Sequence, residues 1–211
     1  MEKYILDTNL FFNMEEGIGL GNKTEEVIRN ITRKFQISNP LREASFKFQI
    51  ELYMPPRIVE ELLGFFEDKE QPFLKEFLSQ VTVKSPDISK INLPGNVFYQ
   101  LVDDIRGRSY RGLRIGEESI GQAAKAMIGK NDLSKKDFEI AVGSVVKNFR
   151  DRYRQATRFG FIDSLADLDL IMLAKELDGF LVTTDEGVIK WGRVFGVKEM
   201  AAAVFGAKMR G

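Results

Sequence analysis

The sequence predicts an α/β protein in which a parallel sheet is flanked by helices, and three observations carry that prediction. Lys3 to Leu6 is a short apolar run that stops abruptly at Asp7-Thr8-Asn9. Gly179 to Thr184 is a second such run, stopping at Asp185-Glu186-Gly187. Runs apolar at successive positions read as buried parallel strands. Between them, Leu165, Leu168, Met172, Leu173 and Leu177 supply an apolar face at helical spacing.

Taken in order, the chain after the first strand reads as a loop from Gly17 to Asn22, a helix from Lys23 to Phe35 and a strand from Lys47 to Met54 that runs into Pro55-Pro56. A proline is well placed at the first helical position, so Pro56 opens a helix carrying Glu60 and Glu61 one turn in. From Gln71 to about Lys136 the pattern is mostly helical, with breaks at Pro86, at Leu93-Pro94-Gly95, from Arg106 to Gly116 and at Gly129 to Leu133. This stretch reads as a helical insertion. The expected division is an α/β domain of residues 1–70 and 137–211 and an insertion of residues 71–136. Val97, Leu101, Ile120, Ala124 and Met127 fit a helical hairpin, protruding and with an apolar stripe suited to self-association. Asp137 to Phe159 reads as a long amphipathic helix. Asp163 and Ser164 start the next helix, Ser164 to Asp167 fits the capping pattern, and Asp178-Gly179 stops it. Trp191 to Val197 supplies a last short helix and strand, and Ala201 to Gly211 reads as a loosely held end.

Composition narrows the chemistry. The 211 residues contain no His and no Cys. That excludes Ser-His-Asp triads, Cys nucleophiles, thiolate or imidazole zinc sites and disulfides. Formal net charge is zero, with 31 basic and 31 acidic side chains, so a nucleic-acid partner has to be argued from where charge is placed. The charged start Glu2-Lys3 has no signal-peptide pattern, and no apolar run approaches the ~18 residues of a membrane span. A cytoplasmic protein with no membrane partner is expected.

The acidic residues stand where two strands and one helix would place them together. In open parallel sheets the functional crevice lies outside the carboxyl ends of the strands, where Asp7 and Asp185 would sit. Asp163 and Asp167 fall about 40° apart on one helix face, whereas Asp169 is turned about 200° from Asp167 and ranks below the others. Each acid alone has an ordinary role: Asp caps helices, Asp-Glu-Gly forms turns, and Glu60 or Glu61 favours a helix amino end. Several carboxylates in one crevice, however, raise one another's pKa unless a cation neutralises them. Oxygen donors without His or Cys suit Mg²⁺ or Mn²⁺. Asp7, Asp163, Asp167 and Asp185 are therefore the candidate metal ligands and catalytic residues, with Asn9, Glu60, Glu61 and Asp169 as candidate supporting groups.

Two regions are basic. Lys147, Arg150, Arg154 and Arg158 form a stripe about 80° wide on the Asp137 to Phe159 helix, interrupted only by Asp151. Arginines so spaced suit successive phosphates, although a solvated helix face has the same pattern. Arg106 to Arg114 holds Arg106, Arg108, Arg111 and Arg114 with Tyr110 and no acid, and reads as a flexible basic loop for RNA or simply as a solubilising turn.

The order strand-Asp7, helix-Glu60/Glu61, helix-Asp167, strand-Asp185 resembles a PIN-domain nuclease. More closely, Asp151-Arg-Tyr-Arg-Gln-Ala, Ile162-Asp-Ser, Asp167-Leu-Asp-Leu, Leu173-Ala-Lys-Glu-Leu-Asp and Thr184-Asp-Glu-Gly resemble the RNA-free ribonuclease P family of HARP type, over most of the chain and most strongly over about residues 147 to 192. The resemblance implies a PIN-like sheet and metal-dependent removal of the 5′ leader from precursor tRNA, giving 5′-phosphate and 3′-hydroxyl ends. It also implies a large homo-oligomer. Asp7, Asp163, Asp167 and Asp185 match that family's active-site aspartates, and Arg150 and Arg154 its basic residues near the substrate backbone. A toxin-type PIN endoribonuclease and a non-catalytic RNA-binding protein are the other readings.

Overall fold

In a computed structural model of the chain, which describes residues 2–13, 19, 21–38, 50–130, 132–162 and 164–210, five parallel strands form one sheet. They are β1 (Glu2–Leu6), β2 (Ile50–Met54), β3 (Val81–Val83), β4 (Phe180–Val182) and β5 (Lys198–Met200), in the order β3-β2-β1-β4-β5. The helices are α1 (Asn9–Phe12), α2 (Thr24–Ser38), α3 (Pro56–Gly64), α4 (Pro72–Gln80), α5 (Asn96–Met127), α6 (Lys135–Arg158), α7 (Leu165–Leu177), α8 (Glu186–Val194) and α9 (Ala202–Arg210). The chain builds outward from β1 to β3 and then returns to the other side of β1, so the strand order reverses between β1 and β4. Residues 47–49 of the expected second strand, and residues 17, 18 and 20 of the expected Gly17 to Asn22 loop, lie outside the described residues.

Tyr4, Ile5 and Leu6 are all fully buried, which requires cover on both faces of β1. The helices that supply it form two groups. One joins α2 to α1, α4 and α9, and the other joins α7 to β1, α3 and α8. Phe11 meets Phe77 edge-on at 5.4 Å, and Tyr4 meets Phe205 at 5.3 Å. The chain end is therefore not loosely held: it forms α9, burying Phe205 and Met209, and Lys208 Nζ donates to Glu2 Oε2 at 2.8 Å. Pro56 opens α3 and Ser164 caps α7 as expected. At the far end of α7 it is Asp178, at φ 50°, that takes the left-handed conformation. Gly179 serves a different need: a Cβ there would lie 2.6 Å from Ile5 Cδ1 and 3.0 Å from the Lys3 carbonyl oxygen, so only glycine lets β4 start this close to β1.

The chain separates into two compact units, Met1–Pro94 with Ile162–Gly211, and Gly95–Phe161. The expected insertion bounds, 71 and 136, thus differ at both ends. Residues 72–83 form α4 and β3, and β3 extends the sheet beside β2, while the whole of α6 joins α5.

Within the second unit, α5 and α6 form a hairpin, and the expected loop from Arg106 to Gly116 is the interior of a 32-residue helix. Glycines there read as breakers, at about 1 kcal/mol each in an isolated helix, but packing against α6 reverses the meaning of Gly112. A Cβ on Gly112 would lie 2.9 Å from the Tyr153 ring. Arg108, expected on RNA, is buried. Its Nη1 donates to the carbonyls of Thr157 at 2.8 Å and Phe159 at 3.1 Å, its Nη2 pairs with Asp104 at 3.1 Å, and it lies over the Phe161 ring. It thereby satisfies carbonyls orphaned at the carboxyl end of α6. Replacing Arg108 by Met should destabilise the hairpin by about 3 kcal/mol, and Gly112→Ala by about 1–3 kcal/mol, in chemical denaturation. Wild-type stability in both would contradict this packing.

Candidate active site

Register, more than any motif, assembles the site. Leu6 pairs with Val182, and the Asp7 N–H donates to the Val182 carbonyl at 3.1 Å, so the ladder runs one residue past the end of β1. Asp7 consequently lies beside Thr183, at the carboxyl edge of the sheet where the strand order reverses. That is where a parallel sheet opens a crevice.

The Asp7 side chain is deeply buried, with 2% of the residue's surface exposed. Its Oδ2 accepts from the Thr183 hydroxyl and, at 3.4 Å, from Asn9 Nδ2; its Oδ1 accepts from Thr8 Oγ1 at 3.3 Å. Thr183 in turn accepts from the Asp185 N–H at 3.0 Å, so one hydroxyl ties both aspartates together. Asp185 caps α8, its Oδ1 accepting from the Val188 N–H at 2.9 Å. Where an Asp-Glu-Gly turn was expected, Asp185 instead starts a helix, and the cap fixes its carboxylate.

Burial pushes the Asp7 carboxyl above the usual range; hydrogen bonds from Thr183 and the Asn9 backbone pull it back, and the charges of Glu61 and Asp185 push it up again, leaving a net rise. Among the described residues no Lys or Arg pairs with it. Of the two candidate glutamates on α3, both exposed, Glu61 is the one whose charge presses on Asp7. Asp167 is half-buried in the first turn of α7, where its N–H donates to Ser164 Oγ at 3.0 Å. Asp163 lies outside the described residues. Asp169 is committed elsewhere, to an ion pair with Arg57 of α3. Thr183 and Arg57 escaped the sequence reading. The signal for Thr183 was register: it is the polar residue that follows β4 directly, opposite Asp7.

The donor chemistry fits a hard divalent cation: oxygen ligands only, and a carboxylate raised first by burial and then by its acidic neighbours. Among the described residues, no three His, Cys, Asp or Glu side chains are gathered closely enough to enclose an ion.

In the second unit, Lys147, Arg150 and Arg154 are exposed and line a groove of about 550 Å³ along α6, with Asp151 between them and Val142 and Val146 beside them. Arg158, in the last turn of α6, and Arg106, on α5, are also exposed. Arg111 is exposed too, and its Nε donates to the Ala156 carbonyl at 3.3 Å. No described helix is long and apolar enough to cross a membrane.

Residues 3–211 match the family of PINc domain ribonucleases. The chain is 32% identical over 216 residues to the RNA-free ribonuclease P of Methanocaldococcus jannaschii, covering 97% of this chain and 89% of that one. It is 32% identical to the RNA-free ribonuclease P of Pyrococcus furiosus, covering 97% and 91%. The protein of that name from Thermodesulfovibrio yellowstonii is also 32% identical, over 93% and 87%.

The raised Asp7 carboxyl carries a stability consequence. A carboxyl whose folded pKa exceeds its unfolded value binds more protons when folded, so it destabilises the fold as pH rises above the ordinary value of 3.8. In chelator, Asp7→Asn should therefore melt higher than the wild type at pH 7, with the difference disappearing as pH falls below the ordinary Asp range. A lower melting temperature at pH 7 would contradict the electrostatic account.

Proposed function

We propose that this chain, which belongs to the RNA-free ribonuclease P family of PINc domain ribonucleases, removes the 5′ leader of precursor tRNA without an RNA subunit. The observation that carries the reading is the buried Asp7 carboxylate at the point of strand reversal, tied to Asp185 through Thr183 and pressed by Glu61. Such a site favours an external positive charge. The likeness to the three relatives, along nearly the whole chain, supports tRNA as the substrate.

Asp7, Asp185 and Asp167, with Asp163 and Glu61, would hold Mg²⁺ or Mn²⁺. When bound, such an ion lowers the pKa of a water molecule and steadies charge on the phosphate and the leaving oxygen. The chain's own residues do the rest. Thr8, Asn9 and Thr183 fix the Asp7 carboxylate in one orientation, and the α8 cap fixes Asp185. Lys147, Arg150 and Arg154 grip backbone phosphates, while Arg108 is withdrawn from that task. Hydrolysis with departure of the 3′ oxygen leaves a 5′-phosphate and a 3′-hydroxyl, and no His is needed. Self-association into a homo-oligomer fits the exposed Phe98, Val102 and Ile105, which recur at helical spacing on α5. A chain acting on precursor tRNA in this way works in the cytoplasm.

Asp7→Asn and Asp185→Asn should each lower precursor cleavage by at least about a hundredfold while binding of the RNA stays within a few-fold. Full activity in either variant would remove the site assignment. Alanine at Arg150 and Arg154 should weaken binding and flatten its dependence on salt by roughly 0.7–0.9 per lost phosphate contact in a log–log plot. An unchanged slope would take α6 out of the RNA interface.

A further inference from the structure

Arg57 and Glu61 stand one helical turn apart on the same face of α3, at the i, i+4 spacing that brings opposite charges within reach of each other, here in the weaker order with the base first. They do not pair here. Arg57 Nη1 contacts Asp169 Oδ2 on α7, and among the described residues Glu61 makes no ion pair. The Asp169 side chain is only 16% exposed, so it has given up most of its hydration to hold this guanidinium. Helix geometry turns Asp169 about 200° away from Asp167, so the arginine is drawn to the other side of α7 from that candidate ligand. Both helices begin at the carboxyl edge of the sheet, α3 directly after β2 and α7 ahead of β4.

We infer that Asp169 is a positioning residue that sequesters Arg57, keeping its guanidinium off Glu61 so that Glu61 remains available to a divalent cation at Asp7. The inference rests on the metal-nuclease reading above. An arginine folded onto Glu61 would supply from within the protein the positive charge that the ion supplies from solution, and the two would compete. Asp169 therefore acts on metal affinity through Glu61 and touches neither ion nor substrate.

The test is Mn²⁺ binding to the full chain without RNA, read from the electron paramagnetic resonance signal of free Mn²⁺, alongside melting temperatures. Asp169→Asn should weaken Mn²⁺ binding about tenfold, the size typical of losing a group that orients a metal ligand. Adding Arg57→Met to Asp169→Asn should restore affinity to within about twofold of wild type, because the competing cation is gone. In a Glu61→Gln background, Asp169→Asn should have no further effect. The Mg²⁺ concentration for half-maximal precursor cleavage should follow the same order.

Wild-type affinity in Asp169→Asn would overturn the inference. So would failure of Arg57→Met to restore it, which would make the pair a clamp between helices. Persistence of the Asp169→Asn effect without Glu61 would overturn it too, by showing that the charge acts on the ion directly. If any of these is seen while the wild type still binds Mn²⁺ and cuts precursor tRNA, only the sequestration falls. A wild type that does neither defeats the nuclease reading itself.

Discussion

A carboxylate held almost out of water at the end of the central strand, with other carboxylates near it and no described basic side chain to neutralise it, is the constraint around which the sheet unit is arranged. Burying such a group costs free energy unless something compensates it. Three hydrogen-bond donors offset part of that cost, and Thr183 does more than the others because it also takes the N–H of Asp185. The sharing is possible only because β1 and β4 are adjacent and in a register that continues past Leu6 and Val182. That adjacency depends in turn on Gly179, where any side chain would strike Ile5 and the Lys3 carbonyl. A glycine at the foot of β4 thus serves a carboxylate at the far end of the neighbouring strand, β1.

Charge is managed differently in the two units. In the sheet unit, Arg57 is committed to Asp169, and no described Lys or Arg pairs with the Asp7 carboxylate. In the helical unit, Arg108 is spent inward on the carbonyls at the end of α6 and Arg152 on Glu118, at 2.6 Å, while Lys147, Arg150 and Arg154 stay exposed along one groove. Separating the basic side chains that build from those left outside gives a chain of zero net charge an exposed basic stripe along α6.

Much of the sheet unit was legible because local signals and tertiary context agree there. Ser164 caps α7, Pro56 opens α3, and Tyr4 to Leu6 form a buried strand, each as local chemistry dictates. The helical unit was less legible because one of its glycines answers to a partner helix. Gly112 reads as a break until Tyr153 is seen against it, and that close approach made a 32-residue helix look like two with a basic loop between. The same error displaced Arg108 from the core to an imagined RNA surface. The chain end misled for a related reason: Phe205 finds its partner in Tyr4, some two hundred residues earlier, and no local signal reports such a contact. In the candidate site, the positions of Asp7 and Asp185 were legible from strand ends. Thr183 was not, since only register shows which residue lies opposite Asp7, and the choice of Glu61 over Glu60 required the helix in place.

The most direct test of the account is incubation of the full chain with a 5′-extended precursor tRNA in Mg²⁺, Mn²⁺ or chelator, with the product ends mapped to the nucleotide. A single metal-dependent cut at the mature 5′ end is expected, leaving a 5′-phosphate on the tRNA and a 3′-hydroxyl on the leader. Cleavage elsewhere, with the leader retained, would keep the nuclease and contradict its substrate. No cleavage in either metal would contradict the catalytic reading of the Asp7 crevice.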